Sequence, residues 1–256
     1  MQIESWVDEI LNRFETIAMK AFQRVTPEEK QDGSVVTRID KETSEIVREA
    51  IFKHSMEDGL ISEEEPEAIR PDAKRVWVLD PIDGTASFAR GYPVWGLGLG
   101  LLQDGKPTKG YMSFPAIGQR YICINGEMFI NGKRHTPPKE PNFKDIQNVL
   151  VGSTAHNDIQ FDALKGIKLR NFGSHLFHVL SVGLGRAEAA IAQPCALWDI
   201  AAALPFTRSR GCIERYMDGR EFVPGDLLTP NSGHKTKVPL IIGTPHQVED
   251  ILSRLA

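Results

Sequence analysis

At 256 residues, with 41% hydrophobic and 25% charged residues, the chain has enough apolar content for one large core or two lobes that share one. Its formal net charge of −4 argues against a nucleic-acid polymer as partner, and no run of 18 apolar residues is present to cross a membrane. Cys123, Cys195 and Cys212 form neither a disulfide framework nor a zinc pattern, and residues 1–12 lack the basic and apolar regions of a secretion signal, so the expected location is the cytoplasm.

Trp6, Val7, Ile10, Leu11, Phe14, Ile17, Ala18 and Ala21 recur at helical spacing and predict an amphipathic helix, broken by Pro27 and the polar run through Gly33. A second helix is expected over residues 40–53, with Asp40 as its N-cap. Short apolar runs then predict strands at 59–62, 75–79, 94–102, 109–114, 119–124 and 127–130, punctuated by the turns Asp104-Gly105, Asn125-Gly126 and Asn131-Gly132. This is the pattern of an antiparallel meander. Residues 135–141, with Pro137, Pro138 and Pro141, read as a connector between lobes. Beyond it the rhythm changes to strand (149–151), helix (158–164), strand (168–170), helix (174–184), strand (187–192), helix (199–210), strand (240–242) and helix (248–255). That alternation predicts an α/β second lobe.

The chemistry concentrates at Asp80-Pro81-Ile82-Asp83-Gly84-Thr85, where an apolar strand runs into two carboxylates, a glycine and a hydroxyl. Pro81 fixes its own φ, Gly84 is free to turn the chain, and a helix beginning at Thr85 would offer free amides to an anion. Taken alone the run also fits a plain Pro-x-Asp-Gly turn. Glu63-Glu64-Glu65 alone reads as a solvated acidic loop, and Asp199 in Trp198-Asp199-Ile200 alone as a helix cap. Together these elements supply carboxylate and carbonyl oxygens, the donors that Mg²⁺ prefers.

In their order along the chain, Val36-Thr37-Arg38-Ile39-Asp40, Glu63-Glu64, Asp80 to Thr85 with Ser87-Phe88, and Trp198-Asp199-Ile200-Ala201-Ala202 resemble four elements of the inositol monophosphatase family of Mg²⁺-dependent, lithium-sensitive phosphomonoesterases. The resemblance spans nearly the whole chain. It implies a layered α/β/α/β/α sandwich of the inositol monophosphatase and fructose-1,6-bisphosphatase type. An N-terminal lobe over residues 1–140 would carry most metal ligands, and an α/β lobe over residues 141–256 would supply Asp199 and the substrate pocket. It also implies two or three Mg²⁺ ions and a homodimer. Glu63, Asp80 and the Ile82 carbonyl would hold one ion, and Asp80, Asp83 and Asp199 a second. Glu64 would order a third ion's water or the nucleophilic water itself. The Gly84 and Thr85 amides would grip the phosphate, and Asp40 would accept a hydrogen bond from the Thr85 hydroxyl and help deprotonate the attacking water. Paired metal ions suit a reaction as slow in water as phosphate-monoester hydrolysis.

The chain departs from the family in places. Ala86 replaces a hydroxyl or lysine. Ala192 stands where inositol-preferring members carry a substrate-binding glutamate, and His175 where a small residue is usual near the substrate. Ala192 and His175 are therefore the positions expected to set the substrate, which is a small phosphorylated alcohol: inositol phosphate, a sugar phosphate, histidinol phosphate or a 3′-phosphonucleotide. Arg90-Gly91-Tyr92-Pro93 either rims the pocket, where it could meet a second anionic group, or forms a surface loop, with the loop slightly favoured. A non-catalytic regulator that binds metal or a phosphorylated ligand is the alternative of another class, and it would be expected to lack one of the carboxylates that are all present here.

Overall fold

Helix α1 (Ser5–Ala21) buries Val7, Ile10, Leu11, Phe14 and Ala18 along one face, the spacing that predicted it. Our computed structural model describes residues 3–29, 35–138 and 147–255. The Gly33 end of the first break, residues 139–141 of the predicted connector and the expected lobe boundary at 140/141 lie outside the described residues. A two-residue ladder of β1 (Glu28–Glu29) and β2 (Val35–Val36) leads into α2 (Arg38–His54).

The N-cap of α2 is Thr37, immediately before its first residue Arg38, and not Asp40 as expected. Asp40 sits at the third helical position and reaches back to the Thr37 amide at 2.8 Å, which closes a capping box. The extended backbone an N-cap needs falls on Thr37.

Seven strands follow: β3 (Gly59–Ser62), β4 (Arg75–Asp83), β5 (Gly96–Gln103), β6 (Lys106–Phe114), β7 (Gln119–Ile124), β8 (Glu127–Ile130) and β9 (Lys133–His135). They pair in chain order, antiparallel throughout except for the parallel β3–β4 pair, and helix α3 (Thr85–Arg90) interrupts between β4 and β5. The second sheet has order β11-β10-β12-β14-β13, from β10 (Asn148–Val151), β11 (Lys168–Arg170), β12 (Ala189–Ala192), β13 (Ile213–Tyr216) and β14 (Leu240–Gly243). β11, β10 and β12 run parallel, whereas β14 is antiparallel to both of its neighbours.

Helices α4 (His175–Gly183), α5 (Leu204–Ser209) and α6 (Pro245–Leu255) complete the fold. Two predicted helices are corrected. Residues 158–164 form only short 3₁₀ turns, Ala155–Asn157 and Phe161–Leu164, because Ile159 and Leu164 alone are buried there and no continuous apolar face exists. The helix expected from Asp199 becomes regular only at Leu204. Pro205, which donates no amide, occupies its first turn, and the preceding residues are held by mixed turn bonds.

Alternation along β4 assigns the layers. Trp77 and Leu79 pack with α1 and α2, whereas Val76 and Val78 pack with Leu176, Leu180, Leu204 and Phe206 of α4 and α5. The other side of α4 meets Leu240 and Ile242 of the second sheet, whose far face, through Val149, Ile191 and Ile241, is covered by Val248 and Ile251 of α6. The result is the expected α/β/α/β/α stack. The glycines of β5 and β6 set how closely the middle layer sits. A Cβ at Gly98 would overlap Leu176, one at Gly110 would overlap the Ala202 carbonyl, and one at Gly100 would stand 2.8 Å from the Ala201 backbone. The segment just after Asp199 therefore lies directly on the first sheet, and one core joins residues from both halves of the chain.

Candidate active site

At the end of β4 the ladder slips. Asp80 pairs with Gly98 and Asp83 with Gly96, so Pro81 and Ile82 together oppose the single residue Leu97. Pro81 is tolerated in this bulge because no ladder bond needs its amide. The bulge turns two carboxylates and then Gly84 toward one cleft. Gly84 is left-handed (φ +83°), and a side chain there would meet the Gly173 carbonyl at 2.8 Å, so both conformation and space demand glycine.

The cleft encloses about 540 Å³. Glu63, Asp80, Ile82, Asp83, Gly84, Thr85 and Asp199 line one part of it. Gly152, Ser153, Thr154, Asn171, Gly173, Ser174 and His175 line the other, and Arg90 is also in the wall. Of the two readings of the Arg90 segment, Arg90 itself follows the one that rims the pocket. The helical turn of α3 brings it back to the cleft, while Tyr92 beyond it is 61% exposed.

Asp80 is buried, and its Oδ1 has no hydrogen-bond partner. Burial, followed by the charges of Glu63, Asp83, Asp199 and Asp40, holds its carboxyl well above the usual carboxylate range. Asp83 is pushed up to about 8, chiefly by burial, although Ser174 Oγ and the amides of His175 (3.0 Å) and Leu176 (3.2 Å) all donate to it. Asp83 therefore ties the end of β4 to the start of α4. Asp199 accepts from the Ala196 amide at 2.7 Å, with its Oδ2 4.0 Å from His175 Nδ1, and burial raises it as well.

The Thr85 hydroxyl lies 3.2 Å from Asp40 Oδ1 and 2.8 Å from the Ile82 carbonyl, so the contact expected between Thr85 and Asp40 is present. Thr37 donates to the other Asp40 oxygen from its amide and, at 2.5 Å, from its hydroxyl. Burial nevertheless lifts Asp40 to about 6. Of the three consecutive glutamates, Glu63 lines the cleft, Glu64 lies close enough for its charge to act on Asp40, and Glu65 turns away to Ser44 and Arg48.

Among the described residues, no three His, Cys, Asp or Glu side chains are drawn into the compact arrangement of a filled ion site. Asp83 and Asp199 spend their oxygens on backbone amides instead. The donor set still fits a hard divalent cation. It consists of carboxylate and carbonyl oxygens, and at its centre is a buried oxygen with no partner.

His175 takes its place in the cleft, but Ala192 does not. Ala192 is the last residue of β12, buried in the core among the side chains packed around α4. A methyl on that face of a central strand serves packing, so the expectation that Ala192 contacts substrate is corrected. His178, one helical turn beyond His175, also borders the cleft, but its ring is committed to the protein. It is buried, its Nε2 accepts from the Phe172 amide at 2.9 Å, and burial lowers it to about 3, so it stays neutral. Gly152 to Thr154 and Asn171 were not foreseen. They follow the carboxyl ends of parallel strands β10 and β11, the place where open α/β sheets bind ligands, and that topology was the available signal.

A profile of the Inositol monophosphatase family matches residues 7–248. A histidinol-phosphatase of Chlorobaculum parvum is 30% identical over 224 residues, covering 84% of this chain and 85% of its own. Two solved structures share the fold. A structure of an IMPase/NADP phosphatase complexed with Mg²⁺ and phosphate superposes with a TM-score of 0.82 at 22% identity, over 99% of this chain and 95% of that one. A staphylococcal inositol monophosphatase-1, soaked with LiCl as an inhibitory complex, superposes with a TM-score of 0.79 at 23% identity, over 98% and 91%. The chain belongs to the inositol monophosphatase family of phosphoric monoester hydrolases.

Proposed function

We propose that this protein hydrolyses a small phosphate monoester with Mg²⁺ as cofactor, and that the carboxylates around the end of β4 hold two or three ions. The observation that carries this reading is Asp80, a buried carboxylate with one oxygen unpartnered and with Glu63, Asp83, Asp199 and Asp40 as its charged neighbours. Such a group is unfavourable unless protons or cations neutralise it.

In this reading Glu63, Asp80 and the Ile82 carbonyl would hold one ion, and Asp80, Asp83 and Asp199 a second. When bound, Mg²⁺ neutralises the carboxylates and the phosphate and makes water more acidic. The chain's own groups do the positioning. Gly84 and Thr85 offer the amides at the start of α3 to the phosphate. Glu64 orders the attacking water. Thr85 Oγ, 3.2 Å from Asp40 Oδ1, relays the water's proton to that carboxylate. His175 stands beside the alcohol half of the substrate.

The family resemblance supports a homodimer working in the cytoplasm. Among the described residues, no helix is long and apolar enough to cross a membrane. For the alcohol, the family points to inositol phosphate and the 30% identical relative to histidinol phosphate.

The test is phosphate release from inositol 1-phosphate, histidinol phosphate, fructose 1,6-bisphosphate and a 3′-phosphonucleotide, with Mg²⁺, with a chelator, and with Mg²⁺ plus millimolar Li⁺. Turnover should require Mg²⁺ and fall with Li⁺. Failure to release phosphate from any of them in Mg²⁺ would leave the regulator reading standing instead.

A further inference from the structure

The acids proposed to hold metal do not stand on equal supports. Asp80 and Asp83 belong to β4, whose ladder fixes their backbone. Asp199 lies between β12, which ends at Ala192, and α5, which begins at Leu204, and so belongs to neither a strand nor a helix. Its Oδ2 accepts from the Ala196 amide at 2.7 Å, so the direction of the carboxylate follows the backbone at residue 196. A ligand on irregular backbone is held less precisely than one on a strand, unless something outside the segment fixes it.

Residues 234–236 supply that outside support. Lys235 pairs with Ala196 in an isolated antiparallel bridge. The Leu197 amide donates to the His234 carbonyl at 2.8 Å, and the Thr236 amide to the Cys195 carbonyl at 2.8 Å. Thr236 adds a side-chain bond, its Oγ1 accepting from the Cys195 amide at 3.0 Å. Cys195 is thus tied to Thr236 through both its amide and its carbonyl, one residue before the amide that orients Asp199. Lys235 Nζ lies 5.9 Å from the centre of the Trp198 ring, the neighbour of Asp199 in the chain. The support is itself anchored. His234 takes a left-handed backbone (φ +56°), which is unfavourable for a residue other than glycine. Its amide donates to Ser232 Oγ at 3.0 Å, and its Nδ1 lies 2.7 Å from the Leu227 carbonyl. Such strain persists only where the surroundings fix it.

We propose that residues 234–236 position Asp199, that the Thr236 hydroxyl is the group through which they do so, and that this contact sets the affinity for the ion that Asp199 would hold. Thr236 is a positioning residue, since it reaches Asp199 only through Cys195 and Ala196. Outer groups that orient a metal ligand are worth about 10- to 100-fold in affinity for the metal. With valine at position 236 the side-chain shape is kept, but the buried Cys195 amide loses its side-chain acceptor and the turn that carries Asp199 is loosened. This inference rests on the reading of Asp199 as a metal ligand.

The test is calorimetric titration of Mg²⁺ alone into the full-length metal-free protein near neutral pH. Thr236→Val should bind Mg²⁺ about tenfold or more weakly, while Thr236→Ser, which keeps the hydroxyl, should stay within about threefold of the parent. In an Asp199→Asn background, Thr236→Val should change binding by less than about twofold, because the carboxylate it positions is gone. A general loss of structure would not depend on Asp199 in this way. His234→Asn is the second variant. Asparagine tolerates the left-handed backbone but gives up the ring contact with Leu227, and it should weaken Mg²⁺ binding by about fivefold or more. It replaces the valine variant in both comparisons, with the parent and in the Asp199→Asn background, if Thr236→Val does not fold. Binding within about threefold of the parent, a serine variant as weak as the valine one, or a loss that persists undiminished without the Asp199 carboxylate would overturn the inference. A parent protein that binds no Mg²⁺ would instead overturn the metal reading on which it rests.

Discussion

On one side of the cleft a single bulged strand end, Asp80 to Thr85, contributes two carboxylates, a carbonyl, a left-handed glycine and a hydroxyl within six residues. On the other side, Gly152, Asn171 and His175 arrive from two strand ends and a helix start. The first side has local chemistry and a geometry set by one irregularity in one ladder. The second exists only because β11 and β10 run parallel and present the same end. A contiguous site of the first kind fixes a reaction. A dispersed site of the second kind can change its residues one at a time, and so can change substrate while the reaction stays the same. Asp83 links the two, because its carboxylate sits at the end of β4 and accepts from Ser174, His175 and Leu176 at the start of α4.

The largest effect should separate the two sides most plainly. Asp80→Asn should lower kcat by about 10²–10³-fold, the usual loss on removing one electrostatic stabiliser of a transition state, and equally for every substrate. The metal-free variant should fold at least as stably, since a buried, unpartnered charge is neutralised. Steady-state kinetics over several phosphomonoesters and a melting curve check both statements. A loss confined to one substrate would erase the distinction between a reaction side and a substrate side.

A smaller and opposite pattern is expected from His175→Ala. KM should rise about three- to tenfold for the preferred substrate with kcat little changed, the signature of lost uniform binding. No change in either constant would make His175 only a helix-start residue beside Asp199. A collapse of kcat for all substrates would move His175 to the reaction side.

The two sides were not equally legible in the sequence. Asp80-Pro81-Ile82-Asp83-Gly84-Thr85 could be read because its spacing along the chain is its spacing in the cleft. The partnership of Asp40 with Thr85 also came through, although it joins positions 45 residues apart and rested on resemblance alone. Most strands and both long N-terminal helices were legible from periodicity. The 158–164 and 199–204 segments were not, because short polar turns and Pro205 override a weak helical pattern. By its distance from Trp198 alone, Ala192 reads as a substrate position. Alternation along β12 instead turns Ala192 into the core. No pattern in the sequence states which face of a four-residue strand is buried when both faces are covered.

The central claim is that the carboxylates at the end of β4 are neutralised by Mg²⁺, and thermal melting with and without Mg²⁺ across pH tests it most directly. In the metal-free protein, burial raises Asp40 to about 6 and Asp83 to about 8, with Asp80 also well above the usual range. The native state then holds protons that the unfolded chain releases. The stability these groups contribute is complete below the unfolded carboxyl pKa, and it is lost as pH rises through about 6 and then about 8. The metal-free protein should therefore melt progressively lower between about pH 5 and pH 8.5, by roughly 5 °C or more. Saturating Mg²⁺ should restore the loss at the upper end and do little at the lower end, where protons occupy the same oxygens. A Mg²⁺-induced shift that is absent, or no larger at pH 8.5 than at pH 5, would contradict the claim.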